Sequence, residues 1–189
     1  MREEERKEKS QKSKIKKIFL LAALSCLFSI LALMILWKFI LRTPVYRHIC
    51  LTNLREFSAA IHLYASDHNG VLPTPSKWCD LLIEGGYARK GFFKCPSTKN
   101  GPCNYAMNQN VENIGPITYN NYHDIVLRSD IVLLFETGPG WNQFGGVEIL
   151  TAANHEDKGC NVLFWGGLEF VRTQDLHKLK WKPDEVQEE

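Results

Sequence analysis

Beyond its first few residues this chain has no basic excess. From Thr43 onward there are 13 Lys/Arg against 17 Asp/Glu. Binding to phosphates needs a basic face, so this balance argues against nucleic acid as a partner. The stretch Ile18 to Trp37 (IFLLAALSCLFSILALMILW) holds no charge at all. At about 1.5 Å rise per residue such a run crosses a hydrocarbon core of ~30 Å. It is longer than the roughly 7–15 residue apolar core of a secretory signal, and no Ala-x-Ala closes it, which points to an uncleaved anchor. No short Cys-x2-4-Cys pair is present, as a zinc knuckle would need. No acidic cluster has the spacing of a calcium loop.

The positive charge is concentrated ahead of the apolar run. Residues 1–17 contain eight Lys/Arg and four Glu. Lys/Arg-rich flanks stay in the cytoplasm, so the amino terminus is expected inside and the rest translocated across a bacterial cytoplasmic membrane into the periplasm. The expected order is a basic cytoplasmic tail (1–17), a transmembrane helix (18–41), a globular domain (43–181) and a disordered acidic tail (182–189).

Within the globular part, Pro44 suits the first turn of a helix. Cys50, Leu54, Phe57, Ile61 and Tyr64 then recur at spacings of four and three, one apolar stripe on a helix over 45–68. Asp67-His68-Asn69-Gly70 supplies residues that tolerate a left-handed cap. Trp78, Leu81 and Leu82 predict a short helix stopped by Gly85-Gly86. Phe92-Phe93 and Asn104–Met107 are weak strand candidates. Asp130–Glu136 (DIVLLFE) reads as a buried strand bounded by polar residues. In NVLFWGGLEFV two β-rich runs flank Gly166-Gly167, which suits a two-residue hairpin with positive φ. A short helix is expected over Thr173–Trp181. One amphipathic helix packed on a small, mostly antiparallel sheet makes the fold α+β.

The pieces CLTNLREFSAAIHLYASDHNGVLP (Cys50 to Pro73), FKCPST, NYAMN, DIVLLFE and HEDKGCNVLFWGG (His155 to Gly167), behind an apolar helix, resemble pilin-like and type II secretion pseudopilin-like proteins. The nearest resemblance is to the group with a carboxy-terminal His-x9-Asp-Gly motif, found in planctomycete-type bacteria and their relatives. It covers about residues 18–181 and places the motif at His155, Gly159, Asn161, Gly166 and Gly167. It implies a structural protein rather than an enzyme. Such a protein works by assembly with other pilin-like subunits or secretion-apparatus proteins at the lipid bilayer. The chain departs from the family pattern. Lys16-Lys17-Ile18-Phe19 lacks the Gly of a prepilin leader, the apolar helix lacks its acid, and Gly166 stands at the place of the family's Asp, one residue farther from His155 than the family spacing.

Other chemistries can be drawn from the same residues. Cys95 and Cys103 bracket a Pro/Gly-rich loop and are candidates for a disulfide. Cys95, Cys103, His155 and Cys160 offer a Cys3His zinc set. Cys160 with His155 offers a nucleophile and its base. Asp67, Asn69 and Asp157 carry calcium-type oxygens, and some pseudopilins hold calcium. Trp141, in GPGWNQFGG, is a candidate for sugar or peptide binding by a periplasmic anchored module. No cofactor is expected, with calcium and zinc as alternatives.

Overall fold

The computed structural model describes residues 2–38, 42–98, 101–114 and 129–182. The expected acidic tail from residue 183 on and residues 39–41 of the expected membrane segment lie outside them. The chain forms two compact units, Met1–Arg42 and Thr43–Glu189.

The first unit is one helix, α1 (Arg2–Leu36). It takes in the basic run as well as the apolar one, so tail and expected span share a single element. Its segment Lys14–Leu36 is long and apolar enough to cross a membrane. Its described apolar side chains, Phe19, Leu27 and Phe28 among them, are exposed.

The second unit opens with α2 (Arg42–Asp67). Pro44 sits in its first turn, where the missing N–H has no helical partner to lose. The helix stops where Asn69 and Gly70 turn left-handed, at φ 55° and 82°. The Gly70 N–H folds back to Ala65 O at 2.7 Å. Cys50, Leu54, Phe57, Ile61 and Tyr64 are all buried. Phe57 is the hub: its ring meets Trp78, Phe93 and Tyr105 edge-on, with centroids 5.4, 4.7 and 5.5 Å away.

A short helix α3 (Trp78–Glu84) follows. Its N-terminus is capped from a distance: Asn142 Oδ1 accepts the N–H groups of Cys79 (2.8 Å) and Asp80 (3.3 Å). Such a cap satisfies helix donors that local sequence leaves open.

Five strands make one sheet: β1 (Cys103–Asn108), β2 (Val132–Gly140), β3 (Phe144–Gly145), β4 (Gly159–Phe164) and β5 (Gly167–Arg172). Their order is β3-β1-β2-β4-β5. All pairs are antiparallel except β1 with β3. The fold is therefore α+β. Successive strand residues point to opposite faces. Tyr105, Met107, Leu134 and Leu163 join the core containing the α2 stripe and α3. Their neighbours Ala106, Phe135 and Val162 join a second core, under Leu150, Leu176, Leu179 and Trp181.

Three local expectations are corrected. Phe92-Phe93 is not a strand but the end of a 3-10 turn (Lys90–Phe93), with Phe93 fully buried beneath α2. β2 spans Val132–Gly140 rather than Asp130–Glu136, and the Glu136 carboxylate, expected at its end, is buried within the strand. The closing segment is a 3-10 helix ending at Lys178.

Candidate functional site

The centre of the second unit holds a polar cluster that apolar patterning alone would fill with aliphatic side chains. Glu136 (β2) and Asn161 (β4) are fully buried, and His155, in the 3-10 turn before β4, is 1 % exposed. Glu136 collects three donors. The Asn161 backbone N–H reaches Oε2 at 2.7 Å, while Asn161 Nδ2 (3.0 Å) and His155 Nε2 (2.8 Å) reach Oε1. That demand suits an acceptor-only carboxylate. His155 Nδ1 is buried without a hydrogen-bond partner. Asn161 Nδ2 lies 3.3 Å from Arg47 O of α2 and ties that helix to the central strands.

Beside this cluster Cys50 of α2 is disulfide-bonded to Cys95, with Cα atoms 5.5 Å apart. One donor atom from each of Cys50, Cys95, Glu136 and His155 lies within 4.8 Å of the others, and all four residues are buried. Neighbouring polar groups hold the frame. Asn53 Nδ2 donates to Lys94 O (3.0 Å) and to Tyr105 Oη (3.2 Å). The Cys95 N–H donates to Asn104 Oδ1 at 3.0 Å. Burial first, and then the Glu136 charge, push the Tyr105 phenol well above its ordinary range.

No family model, curated protein or solved structure matches this chain. Its chemistry therefore rests on its own geometry.

That geometry revises several expectations. Cys95 bonds to Cys50 and not to Cys103. Cys103 opens β1, where its thiol contacts the backbone of Tyr105. The expected zinc set is likewise rearranged: Cys95 and His155 meet, but Cys50 and Glu136 complete the group in place of Cys103 and Cys160. Cys160 is fully buried. Burial, and after it the Glu136 charge, push its thiol up, away from the thiolate a nucleophile needs. Among the described residues no hydrogen bond joins it to His155. Asp67 accepts the Tyr87 hydroxyl at 2.8 Å, and Asn69 and Asp157 take left-handed backbone conformations.

The hairpin is also shifted. β4 pairs Phe164 with Gly167, so the turn residues are Trp165 and Gly166, not Gly166 and Gly167. Neither glycine has positive φ. Gly166 is needed for space: a Cβ there would lie 2.7 Å from Ser129 Cβ and 2.9 Å from Ser129 O, whereas one on Gly167 meets nothing. Gly159 is constrained otherwise, with φ 153° and no room for a Cβ, which would run into the Val171 carbonyl oxygen. Trp141 is half-buried. Its indole N–H donates to Asp80 Oδ1 at 2.7 Å and its ring packs on Phe93, centroids 5.1 Å apart. The bonds from Trp141 and then Asn142 hold the Asp80 carboxyl below its ordinary value.

Glu136 is the site residue that sequence reading missed. The available signal was its place in an otherwise apolar run, DIVLLFE, followed by a strand-forming Thr137.

Proposed function

We propose that this chain is a membrane-anchored, pilin-like structural protein that works by protein–protein assembly in a secretion or pilus-like apparatus. The apolar helix would sit in the bacterial cytoplasmic membrane, with the globular unit on the periplasmic side. The observation that carries this reading is the architecture. An apolar helix of membrane-spanning length is followed by a second helix whose single buried stripe packs on a small, mainly antiparallel sheet. The polar residues at the centre are sealed inside and bind one another, which suits a rigid building block. Trp141, the candidate for the ligand-binding reading, already spends its N–H on Asp80 and a ring face on Phe93.

The test is crosslinking in native membranes, from photoreactive residues placed at exposed Leu63 and Val147. Assembly predicts discrete crosslinked species containing this chain, lost on detergent dilution before irradiation. A chain that stays monomeric from both positions, at native expression, would overturn the reading.

A further inference from the structure

We propose that Cys50, Cys95, Glu136 and His155 form a redox-gated binding site for Zn2+, closed while the disulfide stands and opened by its reduction. The inference stands on the geometry of the globular unit and does not depend on the assembly reading.

The donor set is the first argument. Two sulfurs, an imidazole nitrogen and a carboxylate oxygen from four elements of the chain converge within 4.8 Å of one another, all buried. Zinc takes this mixture in a tetrahedron, with Zn–S of about 2.3 Å and Zn–N and Zn–O of about 2.0–2.2 Å. The edges of such a tetrahedron are roughly 3.3–3.8 Å, so ligation asks for shifts on the order of 1 Å. The two sulfurs must separate by more than their bonded distance, which is why the oxidised pair excludes the metal.

The unpartnered imidazole nitrogen is the second. His155 faces Glu136 through Nε2, 2.8 Å from Oε1, and its Nδ1 is buried without a hydrogen-bond partner. The imidazole is thus committed to no second partner, and Nε2 can exchange its contact with the carboxylate for a bond to the metal while Nδ1 holds the ring proton. Asn161 meanwhile holds the carboxylate through two N–H bonds, the kind of outer contact that orients a ligand for a metal.

Charge is the third. A dithiol donor reduces the disulfide by thiol exchange: it gives up two electrons and two protons, closes its own disulfide, and leaves two Cys thiols. Those thiols are buried beside Glu136. Zn2+ adds no charge to this buried site. It replaces the two thiol protons, which pass to solvent, and the net charge of the cluster does not change.

The experiment uses the full chain in detergent micelles, oxidised or reduced with a phosphine that is then removed without air. Each sample is incubated with Zn2+, desalted and analysed for metal. Co2+ in place of Zn2+ reports thiolate ligation by its visible absorption. The expected result is one metal per reduced chain with a tetrahedral thiolate Co2+ spectrum, and no retained metal in the oxidised chain. His155→Ala weakens binding by about tenfold or more, while Cys160→Ala leaves stoichiometry and spectrum unchanged. Near-UV circular dichroism follows folding throughout. A reduced chain that stays folded and retains no metal overturns the proposal. So does metal that survives in Cys50→Ala and His155→Ala alike, since it would then sit on other cysteines. If reduction unfolds the chain, refolding by Zn2+ supports the site, and failure to refold overturns it.

Discussion

Glu136 ends a run that reads as a strand with a polar boundary, and a carboxylate at the edge of an apolar stretch ordinarily means solvent. It is buried because its three donors come from residues 19 and 25 positions further on, a distance at which no periodicity operates. The prediction follows from the donor count. Glu136→Ala leaves three buried donors without an acceptor and should cost about 3–5 kcal/mol. Glu136→Gln keeps one acceptor oxygen and should cost less. Denaturant unfolding of the full chain checks the order, and equal losses would mean that volume, not the hydrogen bonds, decides. The hairpin glycines give a second test. A reading of Gly166-Gly167 as two positive-φ residues makes Gly167→Val damaging. The structure reverses this. Gly166→Val must push Ser129 aside, at a cost of about 1–3 kcal/mol. Gly167→Val enters open space at ordinary φ and should stay within about 0.5 kcal/mol of wild type. Thermal melting of the two variants separates the accounts. The error arose because adjacent glycines advertise a turn without saying which residue pair occupies it.

At the level of elements, helices were legible and strands less so. The α2 stripe is written at spacings of three and four because one face of the helix is buried and the other is wet. Its stop is equally local, in Asn69 and Gly70. By contrast β1 and β2 are covered on both faces, as the two cores show. Alternation, the pattern that betrays a strand, is erased there. Phe92-Phe93 looked like a strand for the same reason: bulky neighbours carry no direction, and only tertiary packing tells that Phe93 goes under Phe57. Phe57→Ala should cost about 3–5 kcal/mol, since the ring is fully buried among three aromatic partners. A loss under about 1 kcal/mol would mean that the cluster relaxes around the gap or that the face is not a core. The disulfide joins α2 to the loop ahead of β1 across 45 residues. Closing a loop of that length lowers the entropy of the unfolded chain by an amount worth about 4 kcal/mol, more than the short Cys95–Cys103 loop would give. Peptide mapping under non-reducing conditions should recover Cys50 linked to Cys95. A Cys95–Cys103 peptide would refute that pairing.

For the whole molecule the question is what the apolar helix does. Length and composition qualify Lys14–Leu36 as a span, and a signal sequence near an amino terminus would qualify on the same terms. Two physical features favour the anchor. The uncharged run exceeds the apolar core of a cleavable signal, and no small-residue pair marks a cut at its end. For such an anchor the charge asymmetry predicts direction, because eight Lys/Arg precede the run and would hold that flank on the cytoplasmic side. The prediction has two arms. A reporter active only in the periplasm, joined after Glu189, should be active, and its cytoplasmic counterpart silent. The intact mass of the membrane-extracted protein should include the basic segment, because Lys16-Lys17-Ile18-Phe19 offers no Gly for prepilin-type cleavage. The arms fail differently. A silent periplasmic reporter would reverse the topology and remove the oxidising compartment in which a Cys50–Cys95 bond persists. A mature chain starting near Ile18 would leave the topology intact and restore processing of the prepilin kind. One beginning after Trp37 would make the helix a signal and free the globular unit from the membrane, ending the anchor reading.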